Sequence, residues 1–173
     1  MFQLYPMPSI SDTSTDEIAS REIAQEILET LGEGATLKEM AGIPDQIMDG
    51  LYAHAYDFYQ KGRIADAKLF FQFLCTYDFY NADYLIGMAA VHQQQKEYAQ
   101  AAHLYNLAYT LDSKNIRAKF YEGQCWLFLR EKVKASECFS TVAGTKVTES
   151  LQKQAQGYLS ALTPTLEEGE MHA

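Results

Sequence analysis

Proline is scarce in this chain. There are four, and Pro6, Pro8 and Pro164 lie near the ends, so the long middle lacks the main interruption to helices. No apolar run approaches the roughly 18 residues that a transmembrane helix needs. The opening MFQLYPMPSISDTSTDE holds no basic residue and no hydrophobic signal-peptide core, which argues against secretion. Cys75, Cys125 and Cys138 are odd in number and have no CxxC spacing, so neither a disulfide framework nor a zinc site is expected. As free thiols in helical patterns they would act as small hydrophobes and suit a reducing cytoplasm.

Catalytic signatures are equally missing. His54, His92, His103 and His172 form no HExxH or other ligand pair, and there is no GxxxxGK[ST] loop. His54 and His92 fall at inner helical positions and read as partly buried structural side chains. His103 and Cys138 lie in separate segments, and the run Glu167, Glu168, Glu170 reads as a solvated tail. The expectation is a protein without catalytic residues, metal or cofactor. The net charge of −9 is confined to the ends: residues 1–35 carry −6 and the tail from Thr163 carries −3, leaving a neutral body. Acidic ends confer solubility, and nothing offers the clustered basic surface that nucleic acid requires. At 47% hydrophobic and 21% charged residues the composition is globular, consistent with one domain.

What is present is a repeat of 34 residues. Cut at 48, 82 and 116, the chain gives three blocks that align without a gap. Position eight is Ala55, Ala89 and Gly123; position twenty is Ala67, Ala101 and Ala135. Position twenty-four is Phe71, Tyr105 and Phe139; position twenty-seven is Leu74, Ala108 and Val142. Small residues at eight and twenty let the two helices of a repeat approach closely, and the aromatic at twenty-four fills the gap to the next repeat. The period and residue classes resemble the tetratricopeptide pattern. The predicted fold is all-α: three tandem repeats forming a concave superhelical groove, flanked by N-terminal helices and a C-terminal capping helix.

The expected division is a disordered extension over 1–15, N-terminal helices over 16–47, and repeats over 48–81, 82–115 and 116–149. A capping helix over 150–163 and a disordered acidic tail over 164–173 follow. Within the N-terminal region, apolar residues at 18, 23, 27, 28 and 31 mark a helix with Asp16 as N-cap. Thr36 and Glu39 form a capping box opening a short helix through Met40, and Pro44 is placed as the first residue of the next. Apolar Leu151, Ala155, Tyr158, Leu159 and Leu162 would cover the open end of the stack.

The stretch LYAHAYDFYQKGR carries two stripes. Leu51, Ala55 and Phe58 supply core contacts. Tyr52, Tyr56 and Tyr59, on a stripe roughly 100° away, are repeat positions five, nine and twelve. In a tetratricopeptide stack these positions of the first helix face the concave groove. The second repeat places Ile86, Ala90 and Gln93 there, and the third Phe120, Gln124 and Leu127, with Ala90 and Gly87 leaving space in the middle. Tyrosine suits a binding wall, because it buries a ring while its hydroxyl finds a polar partner. No Lys, Arg or Asn occupies these positions, so an acidic carboxylate is not the expected ligand. An extended peptide with spaced apolar anchors is. The rival arrangement has the N-terminal helices folding across the groove and filling it.

The segments GATLKEMAGIP, MDGLYAHAYDFYQKGR, FFQFLCTYDFYNADY and GMAA resemble the class II translocator chaperones of bacterial type III secretion systems, nearest to those of invasion-type systems. The likeness runs from Gly34 to Leu162. It implies a cytoplasmic chaperone that keeps two hydrophobic, pore-forming translocators soluble and apart, each gripped through a P-x-L-x-x-P-like segment. Tyr52 and Tyr59 match the family's groove aromatics. Tyr77 and Tyr105 match further client-binding positions, and Tyr105 doubles as the packing aromatic of its repeat. The resemblance also implies a homodimer, formed through the N-terminal helices, and pairing with an AraC-like activator. Two other readings stay open: a transcriptional co-activator, and a plain repeat scaffold whose groove is occupied by its own N-terminus.

Overall fold

The computed structural model describes residues 34–170, with side chains as far as 162, and residues 25, 29, 30 and 32 ahead of them. Of the predicted helix over 18–31 only 25, 29 and 30 are therefore described, and all three are helical. The extension over 1–15 and residues 171–173 lie outside the described residues.

A short helix α1 (Leu37–Met40) leads into α2 (Asp45–Gln60) and α3 (Ile64–Tyr77). Then come α4 (Ala82–Gln94), α5 (Tyr98–Leu111), α6 (Ile116–Phe128), α7 (Lys132–Gly144) and α8 (Glu149–Glu170). No strand occurs among the described residues. Each predicted repeat is one helix pair: α2 with α3, α4 with α5, α6 with α7.

Local chemistry sets the element ends. The Thr36 hydroxyl accepts from the Glu39 amide, and the Glu39 carboxylate accepts from the Thr36 amide at 2.8 Å, completing the expected capping box. The Thr36 backbone N–H, with the Thr36 side chain second, holds the Glu39 carboxyl below the usual carboxylate range. Lys38 bridges Asp45 at 3.1 Å and Asp78 at 3.3 Å, tying α1 to the end of α3. Pro44 is the N-cap of α2, one position earlier than predicted, with extended backbone (ψ 146°). The missing N–H is as harmless there as at the first helical residue.

The turn inside each repeat repeats its geometry. Gly62, Lys96 and Arg130 occupy repeat position fifteen and have φ of 72°, 61° and 62°. In each case the next amide bonds back five residues: Arg63 to the Phe58 carbonyl, Glu97 to His92, Glu131 to Trp126, all at 2.9 Å. This is the Schellman closure of a helix, which needs a left-handed residue and favours glycine. Only the first repeat has one.

Burial follows the repeat. The residues at positions eight, twenty, twenty-four and twenty-seven are buried in all three blocks. At Gly123 an added Cβ would stand 3.0 Å from the Cys138 and Phe139 side chains, so the small residue at position eight admits the partner helix. Gly87 departs from expectation. It leaves no space in the groove; a Cβ there would lie 2.0 Å from the Phe71 ring, so its vacancy is filled by the position-twenty-four aromatic of the preceding repeat. At the far end Phe139 stacks on Tyr158 of α8, with ring centroids 4.6 Å apart and planes 9° from parallel. Thus α8 plays the part of a fourth first-helix and caps the stack. It continues to Glu170 rather than ending at 163. Pro164 lacks one hydrogen-bond donor, and the helix carries on past it instead of stopping. The buried Glu122 is satisfied by Lys119 at 2.8 Å and the Trp126 indole N–H at 3.1 Å.

Candidate functional site

Two adjoining cavities open on the side of the stack formed by α2, α4, α6 and α8. The first, about 490 Å³, is lined by Tyr56, Tyr59, Ile86, Ala90, Gln93 and Tyr105 from the predicted set, together with Gln60, Gln94, Tyr98, Tyr121 and Phe128. The second, about 500 Å³, is lined by Gln93, Gln124, Leu127, Phe128 and Tyr158. Gln93 and Phe128 belong to both, so the pair forms one continuous depression.

Seven of the ten predicted residues come together here, counting Gln124 in the second cavity. Tyr52, Phe120 and Tyr77 do not. Tyr52 is half-buried against the first core cluster, edge-on to Phe71 with centroids 6.1 Å apart and 5.6 Å from Tyr84. That burial raises its hydroxyl pKa. Phe120 is 3% exposed and makes edge contacts with Phe139 and Tyr158, so it belongs to the core. Tyr77 closes α3, stacked on Phe73 at 4.3 Å, outside both cavities. His54 is exposed beside Phe70, rather than partly buried as expected, while His92 is half-buried and bonded to Glu97.

Tyr52 and Phe120 both stand at repeat position five, which reaches the cavities only through Ile86, whereas position thirteen supplies Gln60, Gln94 and Phe128. Position thirteen lies one turn beyond position nine on the same stripe. The i, i+4 continuation of Tyr56, Ala90 and Gln124 was the signal that could have revealed it. Tyr98 comes from a second helix, stacked on Phe128 at 4.5 Å and 8°, and has no counterpart in first-helix periodicity.

Hydrogen bonds order the polar groups. The Tyr105 hydroxyl donates to Gln93 Oε1 at 2.9 Å. Gln94 Nε2 donates to the Tyr59 hydroxyl, and Gln124 Nε2 to the Tyr158 hydroxyl, each at 3.3 Å. Burial drives the Tyr105 hydroxyl far above the ordinary phenol range, keeping it protonated as a donor. No Asp, Glu, Lys or Arg appears among the residues lining either cavity. Among the described residues no group of three or more His, Cys, Asp or Glu is placed to hold a metal, and no helix is long and apolar enough to cross a membrane. The site is fitted to bind by shape, ring contact and neutral hydrogen bonds.

Comparison with known proteins agrees with this architecture. The tetratricopeptide-repeat family model matches residues 48–81 and 82–115, the first two predicted repeats. The chaperone protein SicA of Salmonella typhimurium is 46% identical over 158 residues, covering 91% of this chain and 94% of the relative. The crystal structure of PcrH from Pseudomonas aeruginosa in complex with the chaperone binding region of PopD superposes with a TM-score of 0.67 at 30% identity, covering 72% of this chain and 96% of that one. Yersinia enterocolitica SycD, solved with a peptide of the translocator YopD, gives 0.66 at 27% identity, covering 71% and 97%.

Proposed function

The chain belongs to the class II translocator chaperones of type III secretion, the family of SicA, and from that premise we propose that it holds an extended segment of a secretion translocator across its two cavities. It does so in the bacterial cytoplasm and without catalysis. Translocators carry membrane-seeking segments that aggregate or insert too early unless they are held. A holdase needs affinity alone, and preformed cavities that take a few proline-fixed anchors limit the ordering entropy of binding.

The observation that carries this reading is the composition of the depression: aromatic rings, small aliphatic residues and neutral amides, with no charge among its lining. Such a surface suits apolar anchors on an extended backbone and gives nothing to a carboxylate or phosphate. The complexes of PcrH and SycD with translocator segments support the choice of client. The test is calorimetric titration of a P-x-L-x-x-P peptide, beside a control with the three anchors replaced by alanine. Tyr56→Ala combined with Tyr59→Ala is expected to weaken binding roughly tenfold or more, with helical content unchanged. Equal binding of both peptides, or an unaffected double variant, would refute the reading.

A further inference from the structure

We propose that the tyrosine–glutamine pairs of the depression read the main chain of the bound segment, with Gln93 as donor to a peptide carbonyl and Gln124 as acceptor of a peptide N–H. The ligand class is then an uncharged extended segment spanning both cavities, selected by free backbone groups as much as by its anchors. This rests on the client-binding reading above.

A glutamine amide has two donor hydrogens and an acceptor oxygen with two lone pairs. In each pair the tyrosine takes one of these and holds the amide in place. Gln93 gives one oxygen lone pair to the Tyr105 hydroxyl and keeps both Nε2 hydrogens. Gln124 gives one hydrogen to Tyr158 and keeps both lone pairs of its oxygen along with the second hydrogen, and Gln94 does the same with Tyr59. The tyrosines sit on helices neighbouring the glutamines, so the remaining amide functions are preorganised by the fold. Gln93 borders both cavities and Gln124 lines the second, which sets a donor and an acceptor along one path.

The absence of charge points the same way. The chain is 21% charged, yet the fourteen distinct lining residues include none. An extended segment laid in a cavity loses water from its N–H and C=O groups and binds poorly unless they are re-partnered. Neutral amides supply either partner without the desolvation penalty of an ion.

The experiment is a coupling measurement on the full-length chain. Calorimetry compares a P-A-L-A-A-P peptide with versions N-methylated at one internal residue at a time, which deletes a single N–H and keeps every side chain. Each peptide is titrated into the wild-type protein, Gln124→Met and Gln93→Met, with circular dichroism checking the fold. At the position read by Gln124, N-methylation should weaken wild-type binding roughly threefold to tenfold. It should have no further effect in Gln124→Met and keep its full effect in Gln93→Met. If every N-methyl effect is the same in all three proteins, reading of a peptide N–H by Gln124 is wrong, and the paired assignment with it, while the groove remains the client site. If the unmodified peptide does not bind folded wild-type protein, the client-binding reading itself fails, and this inference with it.

Discussion

Phe71 of the first repeat occupies the space that a side chain on Gly87 of the second would need: a Cβ at Gly87 would stand 2.0 Å from the Phe71 ring. Phe71 is 1% exposed and its ring also meets Tyr52. One glycine thus lets the first repeat lock into the second.

Gly87→Ala is expected to destabilise the protein by about 1–3 kcal/mol through overpacking. Gly50→Ala, in α2 where an added Cβ meets nothing within 4 Å, is the matched control. It should raise stability by up to about 1 kcal/mol from helix propensity alone. Urea unfolding followed by circular dichroism measures both. Equal effects of the two substitutions would show that the Phe71 contact does not govern the site.

The left-handed turn gives a prediction of opposite sign. Lys96 and Arg130 hold φ of 61° and 62° where the first repeat has Gly62. Replacing either with glycine should relieve strain and stabilise by about 0.5–1 kcal/mol, after the extra backbone entropy of glycine is set against it. A raised denaturation midpoint with an unchanged slope is the expected signature.

Burial pushes the thiols of Cys75, Cys125 and Cys138 up to about 12. At pH 8 the thiolate fraction of each is then about one in ten thousand, and the thiolate is the reacting species. Iodoacetamide at that pH should leave the native protein unlabelled and modify all three cysteines in urea. Mass spectrometry after a timed exposure reads the difference, and rapid native labelling of Cys125 or Cys138 would contradict the described core.

An uncharged site should ignore salt. Affinity for a capped, neutral P-x-L-x-x-P peptide is expected to change by less than about twofold between about 50 mM and 500 mM salt, because there are no charges to screen at the cavities. A tenfold loss would mean that ion pairs outside the described lining contribute to binding.

Much of the architecture was legible beforehand, for a local reason. Helix length, turn spacing and the small or aromatic residues at positions eight, twenty and twenty-four recur along the chain, so each repeat restates the same packing problem. Thr36 and Glu39 announced their cap because that motif is closed within four residues. Six of the ten predicted site residues reached the cavities through the same periodicity, and Tyr105 through the family resemblance.

The rest depended on how whole helices dock. Phe120 occupies the same repeat position as Tyr52 and Ile86, yet only Phe120 is sealed in the core, because α8 lays Tyr158 against it. Gln93 and Tyr105 are 12 residues apart, and no pattern in either helix declares their bond. Gly87 reads as free space in a linear sequence and becomes a socket only when Phe71 arrives from the neighbouring repeat. Residue spacing alone determined that this protein is a stack of helix pairs with an aromatic inner face. Which face of each helix lines the cavities, and which tyrosine meets which glutamine, was decided by tertiary packing, since one residue step turns a helix face by about 100°.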